Sequence, residues 1–284
     1  MSASENQVIN NSDYLTKNFY VARYGMEFNP FIKNSKEIIY SHTDYNEARS
    51  RLDYLLNVKG FGIITGLAGL GKTTIVRNWT KSLNTNLFKV FYSPLSTLSE
   101  HDFYINLATT LGLEAKFKKS ENIKMIKDEI ERLSNALKTT PIFIIDEANH
   151  IKGSILSDFK ILFNFEMDSK DKAVILLVGS PGINSTLRLS CHEALRQRII
   201  MHYELTGLDK KETKEYIACK LKGAGCHHEI FEPQAIEAIT NIGNGTPRMI
   251  NKICNEALHV ADHLKADIIT ADIVQKALNE TSFD

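Results

Sequence analysis

The sequence carries no excess of charge, no long apolar run and no cysteine pair at metal-binding spacing, and each of these absences removes a class of protein. Lysine plus arginine equals aspartate plus glutamate at 34 each, so bulk charge draws the chain to neither nucleic acid nor an anionic surface. Any grip on DNA then needs a local basic patch or many subunits acting together. No apolar run approaches the roughly 18 residues that cross a bilayer. The polar start from Met1 to Asp13 lacks the basic and apolar segments of an export signal. The expectation is a cytoplasmic chain with no membrane partner. The four cysteines, Cys191, Cys219, Cys226 and Cys254, form no C-x-x-C pair and read as free thiols. Cys226-His227-His228 sets metal-ligand residue types side by side, but adjacent side chains do not converge on one ion and no second cluster completes the set.

What is present is a globular composition, 43% hydrophobic and 24% charged over 284 residues, which suits one large domain plus a smaller one. The large one is organised around Gly66-Leu67-Ala68-Gly69-Leu70-Gly71-Lys72-Thr73-Thr74, which fits the phosphate-binding pattern G-x-x-x-x-G-K-[ST]. The apolar run Phe61 to Ile64 before it reads as a buried strand. Ile75, Trp79 and Leu83 after it share one face of a helix. In that strand-loop-helix setting the glycines let backbone N–H groups turn toward a polyphosphate at the positive end of the helix. Lys72 would neutralise the β- and γ-phosphates of ATP, and the Thr73 hydroxyl would hold Mg²⁺.

Further strands are expected at Phe88–Ser93, Pro141–Ile145, Ala173–Gly179 and Ile199–Tyr203, with helices between them. Ligands of parallel sheets sit beyond the carboxyl ends of the strands, so Asp146 and Glu147, which close the third strand, belong beside the phosphate loop. Asp146 suits Mg²⁺, and Glu147 suits the water that attacks the γ-phosphate. Ser180, after the fourth strand, is a candidate for touching that phosphate or that water. Arg196 and Arg198, just before the fifth strand, are candidates for reaching a neighbouring subunit's ATP. A stripe of Ile123, Ile126, Ile130, Leu133 and Leu137 predicts one buried helix face. The aromatic stretch Phe19 to Phe31, with Asn29-Pro30 inside it, must pack against something and is placed either over the nucleotide base or as a docked arm. Beyond Leu208 the pattern is helical, and Gly245-Thr246-Pro247-Arg248 would aim an arginine from that bundle at the phosphates. Lys116-Phe117-Lys118-Lys119 is the densest basic cluster; with Lys152 and Lys160 it supplies the candidate DNA contacts.

In this order GLAGLGKTT, IFIIDE, LLVGSP, ALRQRI and GTPR resemble the AAA+ ATPases, and GMEFNPF, DEANH and GNGTPRMIN resemble the ExeA/TniB/TnsC/MuB group in particular. The resemblance implies an αβα three-layer P-loop core on a five-stranded parallel sheet with a small all-helical lid. It assigns 1–18 to a flexible tail, 19–206 to the core with an N-terminal arm, and 207–284 to the lid. It makes Gly66 to Thr74 the Walker A motif, Asp146 and Glu147 Walker B, Ser180 sensor 1 in place of a longer amide side chain, and Arg248 sensor 2. Arg198 becomes the arginine finger, with Arg196 the second choice, and Pro30 a residue at the nucleotide. The activity implied is Mg²⁺-dependent ATP hydrolysis by a ring or filament. Two classes follow within the group: regulators of DNA transposition, which assemble on double-stranded DNA and stimulate a transposase, sometimes through a targeting adaptor, and ExeA-like secretion ATPases. The lack of a membrane span favours transposition. A small signalling NTPase of the same architecture is a third alternative.

Overall fold

The computed structural model describes residues 19–94, 98–166 and 169–281; the tail expected over 1–18 lies outside the described residues. They divide into a continuous unit, 43–206, and a discontinuous one in which 19–42 join 207–281. In chain order the elements are α1 (Phe19–Arg23), α2 (Thr43–Val58), β1 (Gly60–Thr65), α3 (Lys72–Lys81), β2 (Phe88–Ser93), α4 (Glu100–Thr110), α5 (Lys119–Glu131), β3 (Thr140–Ile145), α6 (Gly153–Leu162), β4 (Val174–Gly179), α7 (Gly182–Arg188), α8 (Glu193–Gln197), β5 (Ile199–Glu204), α9 (Lys210–Gly223), α10 (Pro233–Gly243), α11 (Pro247–His263) and α12 (Ala271–Thr281).

The continuous unit is built on one five-stranded sheet in the order β2-β3-β4-β1-β5, with every pairing parallel. Strands covered on both faces need apolar residues at nearly every position, which is what β1, β3 and β4 have. Alternate residues then supply two cores. Phe61, Ile63, Phe143, Ile145, Ile175 and Leu177 pack under α4 to α8. Ile64, Ile142, Ile144, Leu176 and Val178 pack under α2 and α3. The expected αβα sandwich is therefore present. The helix after α5 widens into a π turn over Arg132–Ala136. That shift of phase turns Leu137, expected on the buried stripe, out to 51% exposure.

In the second unit, α9 opens with a reciprocal capping box between Asp209 and Glu212, and prolines stand in the first turns of α10 and α11. Its core joins Ile217, Ile239, Ile250, Ala257 and Val274 to Tyr20, Val21, Tyr24, Met26 and Phe31. The aromatic arm, grouped with the core domain on sequence, thus packs in the helical unit. There Glu27 N–H donates to the Ala224 carbonyl (2.7 Å) and Asn29 Nδ2 donates to Asn255 Oδ1 (2.7 Å).

Candidate nucleotide site

β4 lies between β3 and β1, and Gly179 pairs with Thr65. The residues following these three strands, Asp146, Ser180 and Gly66, consequently emerge side by side at one edge of the sheet. The phosphate loop turns there through Gly69 and Gly71 at φ 88° and 94°, a region that side chains rarely enter. Lys72 is buried and donates from Nζ to the carbonyls of Gly66 (2.8 Å) and Leu67 (3.0 Å), which holds its ammonium within the curl of the loop.

Asp146 is 5% exposed and accepts three hydrogen bonds. Oδ2 takes the Thr73 hydroxyl (2.8 Å) and the Tyr92 hydroxyl (3.0 Å); Oδ1 takes the Glu147 N–H (2.9 Å). A buried carboxylate beside a hydroxyl, at the mouth of a glycine loop, is an all-oxygen donor pair that fits a hard cation such as Mg²⁺. Glu147 sits at φ 52°, a left-handed conformation that costs a non-glycine residue about 1–3 kcal/mol, and it is exposed beside the buried Asp146. Asn149, in the short turn that follows, reaches β4: its Oδ1 accepts the Ser180 N–H at 2.8 Å. A Cβ on Gly179 would lie 2.8 Å from that oxygen and 3.0 Å from Asn149 N, so only glycine permits the approach.

The arginines before β5 stand at the opposite edge. Ile199 pairs with Phe61 and Glu204 with Thr65, so Arg198 and the loop are separated by the length of a strand, about 17–20 Å. Both arginines therefore lie at the end of the sheet away from the phosphate loop. Arg198 is 17% exposed and donates to the carbonyls of Lys160 (3.2 Å) and Phe163 (3.1 Å), pairs with Asp171 (3.5 Å) and covers Phe61. It ties the end of α6 to the sheet. Arg196 is exposed, with one terminal nitrogen on the carbonyls of Leu187 and Arg188. In the helical unit Arg248 is exposed in the first turn of α11 and makes no hydrogen bond or ion pair among the described residues. A cation at the positive end of a helix opposes the dipole, so stability does not explain it. Pro30 is buried in the same unit, and its carbonyl accepts from Lys220 Nζ at 3.2 Å; burial pushes the Lys220 amine down from its usual range.

The basic cluster expected to meet DNA is largely neutralised. Lys116 pairs with Glu114 (3.2 Å), Lys118 with Glu121 (3.7 Å), and Lys119 with Asp158 (2.6 Å) and Glu100 (2.9 Å). Phe117 between them is 85% exposed, and Lys152 and Lys160 are exposed. Tyr92, Asn149 and Gly179 are site residues that sequence reasoning missed. For Tyr92 a signal exists once strands are paired: it faces Ile144, and Asp146 is the next residue on that face. Among the described residues no group of three or more His, Cys, Asp or Glu is placed to hold a metal, and no helix is long and apolar enough to cross a membrane.

Comparison with known proteins agrees with this geometry. General secretion pathway protein A of Aeromonas hydrophila is 31% identical over 247 residues, covering 85% of this chain and 45% of that one, so the chain spans under half the length of this relative. Among solved structures, the Aeropyrum pernix ORC2 protein in its ADPNP-ADP complexes has 18% identity and a TM-score of 0.67, over 90% of this chain and 72% of that one. Cdc6p of Pyrobaculum aerophilum has 17% identity and a TM-score of 0.68, over 89% and 71%. The RuvB branch migration motor of Thermotoga maritima has 22% identity and a TM-score of 0.52, over 86% and 70%. Residues 56–187 match the AAA domain family. This stretch is an AAA domain, and the P-loop core around it has the AAA+ fold.

Proposed function

We propose that the chain is a Mg²⁺-dependent ATP hydrolase, one subunit of a nucleotide-assembled oligomer, working in a secretion apparatus as the name of general secretion pathway protein A describes for that relative. The observation that carries the hydrolase reading is the Thr73–Asp146 hydrogen bond beside a lysine held in the curl of a glycine loop. Lys72 exchanges its loop carbonyls for the β- and γ-phosphates. Thr73 and Asp146 would hold a magnesium ion, which would supply positive charge against the transferring phosphoryl group. Glu147 orients and deprotonates the attacking water, with Ser180 alongside. Arg196 takes the role in trans in place of Arg198, because Arg196 is exposed and uses one terminal nitrogen on its neighbours' carbonyls, while the largely buried Arg198 also uses its second nitrogen, on Phe163 and Asp171. An arginine supplied this way is worth about 10³–10⁵ in rate, so the isolated subunit turns over slowly.

The secretion assignment rests on the identity to general secretion pathway protein A and on the paired state of the basic cluster. A second reading, an ATP-dependent regulator of transposition that assembles on double-stranded DNA with a transposase and an adaptor, is the other class of the group that GMEFNPF, DEANH and GNGTPRMIN resemble. The two part in one experiment. Purified protein is imaged by negative-stain microscopy, with and without a slowly hydrolysed ATP analogue, and with and without linear duplex DNA at two salt concentrations. Assembly that needs nucleotide and ignores DNA supports the secretion reading. Rings or filaments that form only on DNA overturn it in favour of transposition.

A further inference from the structure

Tyr92 stands on β2, one of the two edge strands of the sheet, and is 45% exposed. Its neighbour two residues back on the same face, Val90, is exposed as well. Packing therefore does not account for an aromatic residue here. Its hydroxyl does something specific. Tyr92 pairs with Ile144, and on a pleated sheet the next side chain on that face belongs to Asp146, a diagonal neighbour within reach of a phenol. The contact made is a 3.0 Å hydrogen bond to Asp146 Oδ2.

We infer that Tyr92 is a positioning residue for the cation site: its hydroxyl fixes the rotamer of Asp146, so that affinity for the divalent ion depends on a side chain at the exposed edge of the sheet. This inference rests on the reading of Thr73 and Asp146 as the magnesium-holding pair. Oδ2 is shared by the Thr73 and Tyr92 hydroxyls, and the two donors differ in what else they must do. Thr73 must offer its lone pairs to a cation, whereas the Tyr92 hydroxyl has no other hydrogen-bond partner among the described residues and remains a donor. Oδ1, held by the Glu147 N–H, cannot rotate into the place of Oδ2 without giving up that bond. The carboxylate is fixed at both oxygens, and Tyr92 supplies the fixing that survives when Thr73 turns to a metal.

The test is Tyr92→Phe, which removes one oxygen and leaves the ring, with Val90→Ala as a control on the same face of the same strand. Three quantities are read: affinity for a fluorescent ATP analogue in EDTA, Mn²⁺ affinity of the nucleotide complex by electron paramagnetic resonance, and the magnesium concentration giving half-maximal turnover. For Tyr92→Phe the first stays within about twofold, and the second and third weaken about tenfold, the usual worth of one hydrogen bond to a charged group. Val90→Ala matches the parent in all three. Parent-like Mn²⁺ affinity in Tyr92→Phe, or an equal loss in Val90→Ala, overturns the inference. If the parent protein binds nucleotide but no Mn²⁺ at all, the magnesium reading of the site falls and this inference falls with it.

Discussion

Gly179→Ala adds a single methyl group at the junction of the site, and its cost follows from three distances. The new Cβ would lie 2.8 Å from Asn149 Oδ1, 3.0 Å from Asn149 N and 3.2 Å from Ala148 N. Two of these are backbone atoms of the turn that carries Glu147, and the third is an oxygen already committed to the Ser180 N–H. Nothing in that set retreats freely. Overpacking of a well-filled site costs about 1–3 kcal/mol, and loss of the Asn149–Ser180 bond adds about 1 kcal/mol. The sum of about 2–4 kcal/mol corresponds to a fall in melting temperature of about 4–16 °C for a unit of this size. Denaturant unfolding followed by circular dichroism measures the stability, and a coupled assay measures turnover, which falls because Glu147 and Ser180 are displaced from each other. Gly182→Ala is the internal control: its Cβ meets only Ser180 Oγ at an ordinary 3.6 Å, and it sits at the start of α7. That variant is neutral or gains a few tenths of a kcal/mol, as Gly→Ala does in a helix. If Gly179→Ala is as stable as Gly182→Ala, the close approach of β4 to the 148–149 turn is not a constraint and the reasoning fails.

Lys72→Ala is expected to abolish ATP binding in a fluorescence titration, while Glu147→Gln keeps binding, stops turnover and prolongs the assembled state; normal hydrolysis by Glu147→Gln refutes its role as base. Arg196→Ala is expected to bind nucleotide and unfold like the parent yet lose the concentration-dependent rise in turnover. Arg198→Ala should instead destabilise the fold by about 1–3 kcal/mol, because it removes bonds to two carbonyls and an ion pair; the reverse pattern returns the role in trans to Arg198. Among the thiols, Cys191 is exposed and Cys254 is buried with its ionisation pushed up by desolvation. Thiol titration should modify Cys191 within minutes and reach Cys254 only on unfolding, and rapid labelling of Cys254 in the native protein would contradict its burial.

Local pattern was enough for the phosphate loop and the acids, because a strand, a glycine turn and a lysine lie within a dozen residues, and because Asp146 closes an apolar run. The αβα layering was legible for the same reason. Strand pairing was not, and Tyr92 shows why: only the β2–β3 register puts it diagonally across from Asp146. Lys119 failed in another way. Four residues of sequence present it as a free cation, while Glu100 and Asp158, which neutralise it, come from other helices. Arg198 likewise reads as a spare charge until the end of α6 is folded against it. The aromatic arm announced burial through its composition but carried no signal of the surface that buries it, since its partners begin beyond residue 206.

That separation has a consequence for the nascent chain. The arm is made first and its partners last, with the whole of residues 43–206 between them. Asp44 closes that intervening unit upon itself, accepting the Tyr203 hydroxyl (2.7 Å) and the Thr206 N–H (2.8 Å), so the core can complete its own perimeter before the helical segment exists. At about 5–20 residues per second, Tyr20, Tyr24 and Phe31 leave the ribosome and wait on the order of 10–30 s for somewhere to go. During that interval they are unburied apolar side chains tethered to a core that can already close, a surface open to mispairing until the helical segment is made.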